Sequence, residues 1–142
     1  EITLLDSLNK RINFLNEVIE KLNLNNIQAI HSRAEELGRN KEHREKYDIV
    51  VSRAVAKMNI LLEYMMPFIK IGGKCICMKG SNLEEIDNCK NALSELGGKI
   101  LEIKNCRLPE SKEERNIVIV EKIKHTGEKY PRISGIPTKK PL

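Results

Sequence analysis

The chain has 142 residues, 40% of them hydrophobic and 32% charged, with 25 basic residues against 20 acidic. That composition supports one packed domain of ordinary size and excludes a disordered chain; no apolar run is long enough to cross a bilayer. The positive excess is uneven: residues 124–142 carry five basic residues and one acid, and so four of the five net charges, which suits an anionic partner or a solvated tail.

The first element is a short apolar strand, Ile2 to Leu5, stopped by Asp6. Behind it Leu8, Ile12, Leu15, Ile19 and Leu22 recur at steps of four and three, one face of a helix that ends at Asn23-Leu24-Asn25-Asn26. Ile27 to His31 is a second strand, and a helical turn is expected around Ala34-Glu35-Glu36-Leu37. Tyr47 to Ser52 is continuously apolar and β-branched, the pattern of a parallel strand buried on both faces. Met58 to Ile69 reads as a helix with Pro67 near its end, Gly72-Gly73 as a turn, and Lys74 to Lys79 as a strand closed by Gly80. Ile86, Cys89, Leu93 and Leu96 line a further helix ending at Gly97-Gly98. Ile100 to Cys106 and Asn116 to Ile123 are strands whose linker is too short for a parallel crossover, so they pair antiparallel. From His125 onward Gly and Pro recur without periodicity. The expected division is an α/β domain over 1–124 and a basic Pro/Gly-rich tail over 125–142.

Strands alternating with helices predict a mixed sheet. An acid closing the second strand of a doubly wound sheet accepts hydrogen bonds from the ribose of a nucleoside cofactor, and the Gly-rich loop belongs to the strand before it. No such strand stands before Ile2, so the chain reads as a nucleoside-binding domain whose first βα unit is absent. Open sheet edges follow, and with them a homodimer that pairs those edges. The cysteines, Cys75, Cys77, Cys89 and Cys106, form no CxxC pair and have no adjacent His, so no metal site is expected. Without a secretory signal they read as buried or half-buried thiols in a reducing cytoplasm.

The segments Leu5-Asp6-Ser7-Leu8-Asn9-Lys10-Arg11, His31-Ser32-Arg33-Ala34-Glu35, Val51-Ser52-Arg53-Ala54-Val55-Ala56, Met78-Lys79-Gly80, Arg115-Asn116-Ile117-Val118 and Lys129-Tyr130-Pro131-Arg132 stand in this order and together resemble the RsmG (GidB) family, within the class I S-adenosylmethionine methyltransferases. The resemblance implies a Rossmann-like methyltransferase sheet, incomplete for want of its first strand and ending in an antiparallel pair. It implies transfer of a methyl group from S-adenosyl-L-methionine to N7 of a guanine in 16S ribosomal RNA, with that RNA or the small ribosomal subunit as partner. Cofactor contacts fall to Asp6 at the ribose, to Ser7 and Leu8, to Ala34 and Glu35 at the adenine end, and to Arg53 at the junction with substrate. Basic positions for RNA are Lys10, Arg33, Lys79 and Arg115, with Lys129, Arg132, Lys139 and Lys140 of the tail tracking the backbone and Tyr130 stacking on a base. Guanine N7 has a free lone pair, so no general base is expected.

Each residue also has a plainer reading. Asp6 makes a good helix cap, Leu8 a core residue, Glu35 a solvated acid at a helix start, and Arg53 a salt-bridge partner of Asp48. Rival functions are a non-catalytic RNA-binding module on the same fold, a nicotinamide-dependent dehydrogenase and a small-molecule methyltransferase. The final antiparallel pair and the basic tail speak against the dehydrogenase, and the tail alone against the small-molecule enzyme.

Overall fold

A computed structural model describes all 142 residues. The elements run β1 (Ile2–Asp6), α1 (Asn9–Lys21), β2 (Ile27–His31), α2 (Ala34–Leu37), β3 (Tyr47–Arg53), α3 (Met58–Met65), a 3-10 turn (Met66–Phe68), β4 (Ile69–Lys79), α4 (Glu84–Asp87), α5 (Lys90–Leu96), β5 (Gly98–Arg107), β6 (Glu114–Lys122) and α6 (Ile136–Lys139). The strands form two sheets: a parallel pair β1-β2, and a mixed sheet in the order β3-β4-β6-β5, in which β3 and β4 are parallel and β6 is antiparallel to both neighbours. β1 and β3 each leave one edge unpaired.

The core lies on one face of the larger sheet. Cys75 and Cys77 of β4 and Val118 and Val120 of β6 point to one side, as the period of two requires. They meet Met58, Leu61, Leu62 and Met65 of α3 and Ala92 and Leu96 of α5. Along β6 the inward positions are Asn116, Val118, Val120 and Lys122, so a strand with a clean apolar centre buries a polar residue at each end. The other face is barer than expected. Ile49 and Val51 of β3 are 55% and 53% exposed, which corrects the reading of a strand buried on both sides. A parallel strand is covered only where a crossover helix lies over it, and α1 packs against β1 and β2 instead.

Four other sequence expectations change. Gly72 and Gly73 lie inside β4, where Gly72 adopts φ 82° and the pairing with β3 slips between Tyr47 and Ile49. A Cβ on Gly73 would stand 2.7 Å from the Asp48 carbonyl oxygen, so the close approach of β3 requires a residue without a side chain. The helix from Met58 stops at Met65 because Pro67 cannot donate its missing N–H, and Ile69 already begins β4. The helix expected over Ile86 to Leu96 is broken at Asn88-Cys89 into α4 and α5. Cys106 is exposed, whereas Cys75, Cys77 and Cys89 are buried free thiols.

Residues 125–142 fold back over the domain. Thr126, Tyr130, Pro131 and Pro137 are buried. Arg44 gathers this segment by donating to the carbonyls of Tyr130, Thr126 and Gly127, and Arg39 donates to that of Pro131. No helix is long and apolar enough to cross a membrane.

Candidate functional site

Parallel strands carry their carboxyl ends to one edge of a sheet, and the loops that follow present the residues there. In β1-β2, Asp6 is in register with His31; in β3-β4, Arg53 is in register with Met78; and Lys79 is in register with Asn116 of β6. The segments Asp6–Leu8, Arg33–Glu35, Arg53–Lys57, Lys79–Ser81 and Arg115–Asn116 therefore each lie at the carboxyl end of a parallel strand, or beside one, in one or other of the two sheets. His31 Nε2 donates to the Ser7 carbonyl and joins the first two loops.

Asp6 starts α1 with a local turn. Its Oδ1 accepts the Leu8 amide at 2.8 Å and its Oδ2 accepts from Arg11 at 3.1 Å. The Leu8 amide, aided by the Arg11 guanidinium, holds the carboxyl below the usual carboxylate range. This turn precedes the helix and does not cap it, since the N-cap of α1 is Leu8 and no side chain caps it. It leaves each carboxylate oxygen a second lone pair for a hydroxyl. Leu8 is 52% exposed and is not a core residue; it offers an apolar surface beside the carboxylate. Ser7 is exposed.

Ala34 and Glu35 open α2, and their amides donate to no group of the chain. The Glu35 side chain is 6% exposed, with Oε1 accepting the Gly135 amide at 3.3 Å, so it is neither a solvated acid nor a free one. Its carboxylate faces the C-terminal segment, and what this position offers a ligand is its backbone.

Arg53 has no ion-pair partner, and Asp48, the acid named in its plainer reading, pairs with Lys70. Next to it Ala54 takes φ 55°, a left-handed conformation that residues other than Gly rarely adopt and that recurs at functional turns. Lys10 and Arg33 are exposed and likewise unpaired, as are Lys139 and Lys140. Arg115 is 41% exposed in its side chain and pairs with Glu113. Lys129 pairs with Glu95 at 2.9 Å and lies 4.9 Å above the Tyr130 ring.

Three expectations fail on geometry. Lys79 is 11% exposed in its side chain, and its ammonium is engaged by the Ala56 carbonyl at 2.7 Å and Glu85 at 2.9 Å. Arg132 is held by Glu63, a fully buried acid, through Nε at 2.9 Å and Nη2 at 2.6 Å. Tyr130 is 4% exposed, with its hydroxyl donating to Glu95, and belongs to the core. A lysine, an arginine and a tyrosine in a basic sequence suggest nucleic acid. The acids that claim them, Glu85, Glu63 and Glu95, lie far off in sequence or in helices that look solvated.

The sequence reading also missed Lys122. Its side chain is wholly buried, donates to the Met66 and Ile69 carbonyls and to Thr126 Oγ1 at 2.6 Å, and forms an ion pair with Glu45 at 3.1 Å. The clue was its phase with Val118 and Val120. Burial lowers the pKa of this ammonium, and Glu45 only partly offsets that. Burial also pushes Glu45 up, but the Thr126 amide, His125 and Lys122 outweigh it and hold the carboxyl at about 2.

Two surface hollows, of about 300 Å³ at Leu108–Ser111 and about 160 Å³ at Glu1 and Asn26–Gln28, touch none of Asp6, Ala34 or Arg53. The hollow at Leu108–Ser111 is a bay in the β5-β6 hairpin with one apolar residue in its lining and no group suited to chemistry. The carboxyl edge is singled out by its unpaired donors and cations, not by enclosure. No three His, Cys, Asp or Glu side chains converge as metal ligands.

Comparison with known proteins follows this geometry. Residues 1–118 match the family model GidB, rRNA small subunit methyltransferase G. The ribosomal RNA small subunit methyltransferase G of Acetivibrio thermocellus is 54% identical over 142 residues, covering all of this chain and 59% of that protein. Its counterpart in Alkaliphilus metalliredigens is 52% identical over all of this chain and 60% of its own. The chain thus spans about three fifths of the length of the relatives it matches. Among solved structures, a putative methyltransferase from Thermoplasma acidophilum superposes with TM-score 0.66 at 14% identity, over 87% of this chain and 58% of its own. M. jannaschii TYW2 in complex with AdoMet gives 0.62 at 18% identity, over 85% and 57%. Matches that wide take in residues of both sheets and establish the methyltransferase fold.

Proposed function

This chain belongs to the rRNA small subunit methyltransferase G family, GidB, and from that membership we propose that it carries the cofactor edge of an enzyme that methylates N7 of a guanine in 16S ribosomal RNA. The observation that carries the reading is the set of uncommitted groups at the strand ends: Asp6 with spare lone pairs, the free Ala34 and Glu35 amides, the exposed Leu8 and the unpaired Arg53. These fit S-adenosyl-L-methionine group by group. The Asp6 carboxylate accepts from the two ribose hydroxyls, Ser7 and Leu8 flank the adenine, and the amides at the start of α2 meet its polar edge. Bound there, the cofactor supplies an electrophilic methyl group on a sulfonium.

The residues have little proton chemistry to do. Guanine N7 presents a lone pair without a hydrogen, so no side chain need act as base, and none of the carboxylates at the edge is poised as one. The work that remains is to hold N7 in line with the methyl group, where a misplacement of about 1 Å costs on the order of 100-fold. The N7-methylated base is cationic, so Arg and Lys contribute by holding RNA phosphates away from the ring. Lys10, Arg33 and Arg115 supply that charge at the edge, and Lys139 and Lys140 extend it along α6. N7 lies in the deep major groove of A-form RNA, so the target guanine is presented from a loop or splayed from its stack. The work is that of a cytoplasmic enzyme acting on 16S RNA or the small ribosomal subunit. The unpaired edges of β1 and β3 also permit two copies to associate, which light scattering would detect as a doubled mass.

Titration of labelled S-adenosylmethionine against the full-length protein tests the site. Binding weakened about ten-fold or more by Asp6→Ala is expected, since the loss of a charge-assisted hydrogen-bond pair is worth about 1.5–3 kcal/mol. Binding that is absent in the intact protein would point to the RNA-binding module, and binding indifferent to Asp6→Ala would remove the carboxylate from the site.

A further inference from the structure

The turn from β3 into α3 sets the direction of Arg53 through backbone alone, because the Arg53 side chain has no partner and Ala54 beside it is held at φ 55°. Two side chains from outside the turn grip it. Lys79 Nζ donates to the Ala56 carbonyl at 2.7 Å and pairs with Glu85 at 2.9 Å. The same Glu85 Oε2 accepts the Met58 amide at 2.7 Å. Lys57, at the N-cap of α3, contributes no side-chain cap, so Glu85 supplies from α4 the acceptor that the first turn of α3 lacks. Lys79 and Glu85 are 11% and 24% exposed in their side chains, so solvent competes poorly for either. The clamp closes on both sides of Lys57 and leaves Arg53, Ala54 and Val55 free at the sheet edge.

We propose that Lys79 and Glu85 are positioning residues that hold the Arg53–Lys57 turn, with Ala54 in its left-handed conformation, and thereby fix where Arg53 stands at the junction of cofactor and substrate. The proposal rests on the reading of function above. It assigns to Lys79 a role in geometry in place of a contact with RNA phosphate, and it gives Glu85, which no motif marked, a part in the site.

The full-length protein carrying Lys79→Met, Glu85→Gln or Lys79→Arg tests this through two separate readouts. Hydrogen exchange at the Met58 amide, which Glu85 accepts, is expected to quicken about ten-fold or more in Lys79→Met and Glu85→Gln, and to be largely restored in Lys79→Arg, which keeps the charge and the donors. In methyl transfer to RNA, kcat is expected to fall about ten-fold or more while KM for RNA and its salt dependence stay within about two-fold. Unchanged exchange in both variants overturns the clamp. A raised KM with a salt slope smaller by about one and kcat intact also overturns it, because that is the signature of a lost phosphate contact. If the unmodified protein transfers no methyl group, the functional reading falls and the exchange data alone decide the clamp. Should Lys79→Met not fold, Glu85→Gln against Lys79→Arg gives the same comparison.

Discussion

Glu63 and Arg132 form the ion pair with the most at stake in the molecule. Glu63 has no exposure, and Arg132 covers it with two parallel N–H donors while its own amide makes a third contact at 2.8 Å. Arg132→Ala strands that carboxylate, and a loss of about 3–5 kcal/mol is expected in a denaturant titration, whereas Arg132→Met with Glu63→Leu should recover most of it. Glu45 gives a pH-dependent counterpart. Its folded pKa of about 2 lies below its ordinary 4.5, so its contribution is complete above the ordinary value and is lost as pH falls from there towards 2. Glu45→Gln should therefore be less stable than the parent at neutral pH, with the gap closing across that window; a gap independent of pH would contradict the assignment. What the sequence made legible at this scale were residues whose setting is local. Asp6 forms its turn because its acceptors sit beside the Leu8 amide, and Arg53 closes a strand whose end can be counted. Lys79, Tyr130 and Arg132 were misread because each is defined by an acid 6, 35 or 69 residues away, and a residue type carries no record of such a partner.

Among elements, β6 was the most legible. Its strand and its antiparallel pairing with β5 were readable from the apolar run and the short linker, whereas its inward face, with Asn116 and Lys122 buried at the ends, appears only in the structure. Elements governed by a single backbone constraint were less so. The same dipeptide pattern, Gly-Gly, stands inside a strand at Gly72-Gly73 and at a helix end at Gly97-Gly98. Only the three-dimensional approach of Asp48 in one case and Lys124 in the other separates them. Gly97 closes α5 at φ 81°, and a Cβ there would lie 2.3 Å from the Lys124 carbonyl oxygen. Gly97→Ala should then cost more than the roughly 1 kcal/mol of a left-handed alanine, read as a lowered thermal midpoint. Gly80, whose Cβ would meet nothing within 4 Å, is the matched control and should tolerate Ala with little change.

For the whole molecule, the α/β class and the antiparallel finish follow from the order of hydrophobic periods, but the place of residues 125–142 does not. A Pro- and Gly-rich segment with excess charge reads as solvated. It is instead a strap, because Glu63 finds its partner only in it, and Lys122 and Arg44 complete their contacts in it. Removing 125–142 should abolish cooperative unfolding seen by circular dichroism, while removing only 139–142, which supplies none of those partners, should preserve it. The strap also reaches the start of α2, since Gly135 meets Glu35 beside Ala34, so the fold and the proposed cofactor edge share a contact. The central claim is that this edge serves methyl transfer to a ribosomal guanine. Mass spectrometry of 16S RNA nucleosides from cells with and without the intact gene tests it most directly: one N7-methylguanosine should vanish with the gene and return with it, and an unchanged modification map would contradict the account.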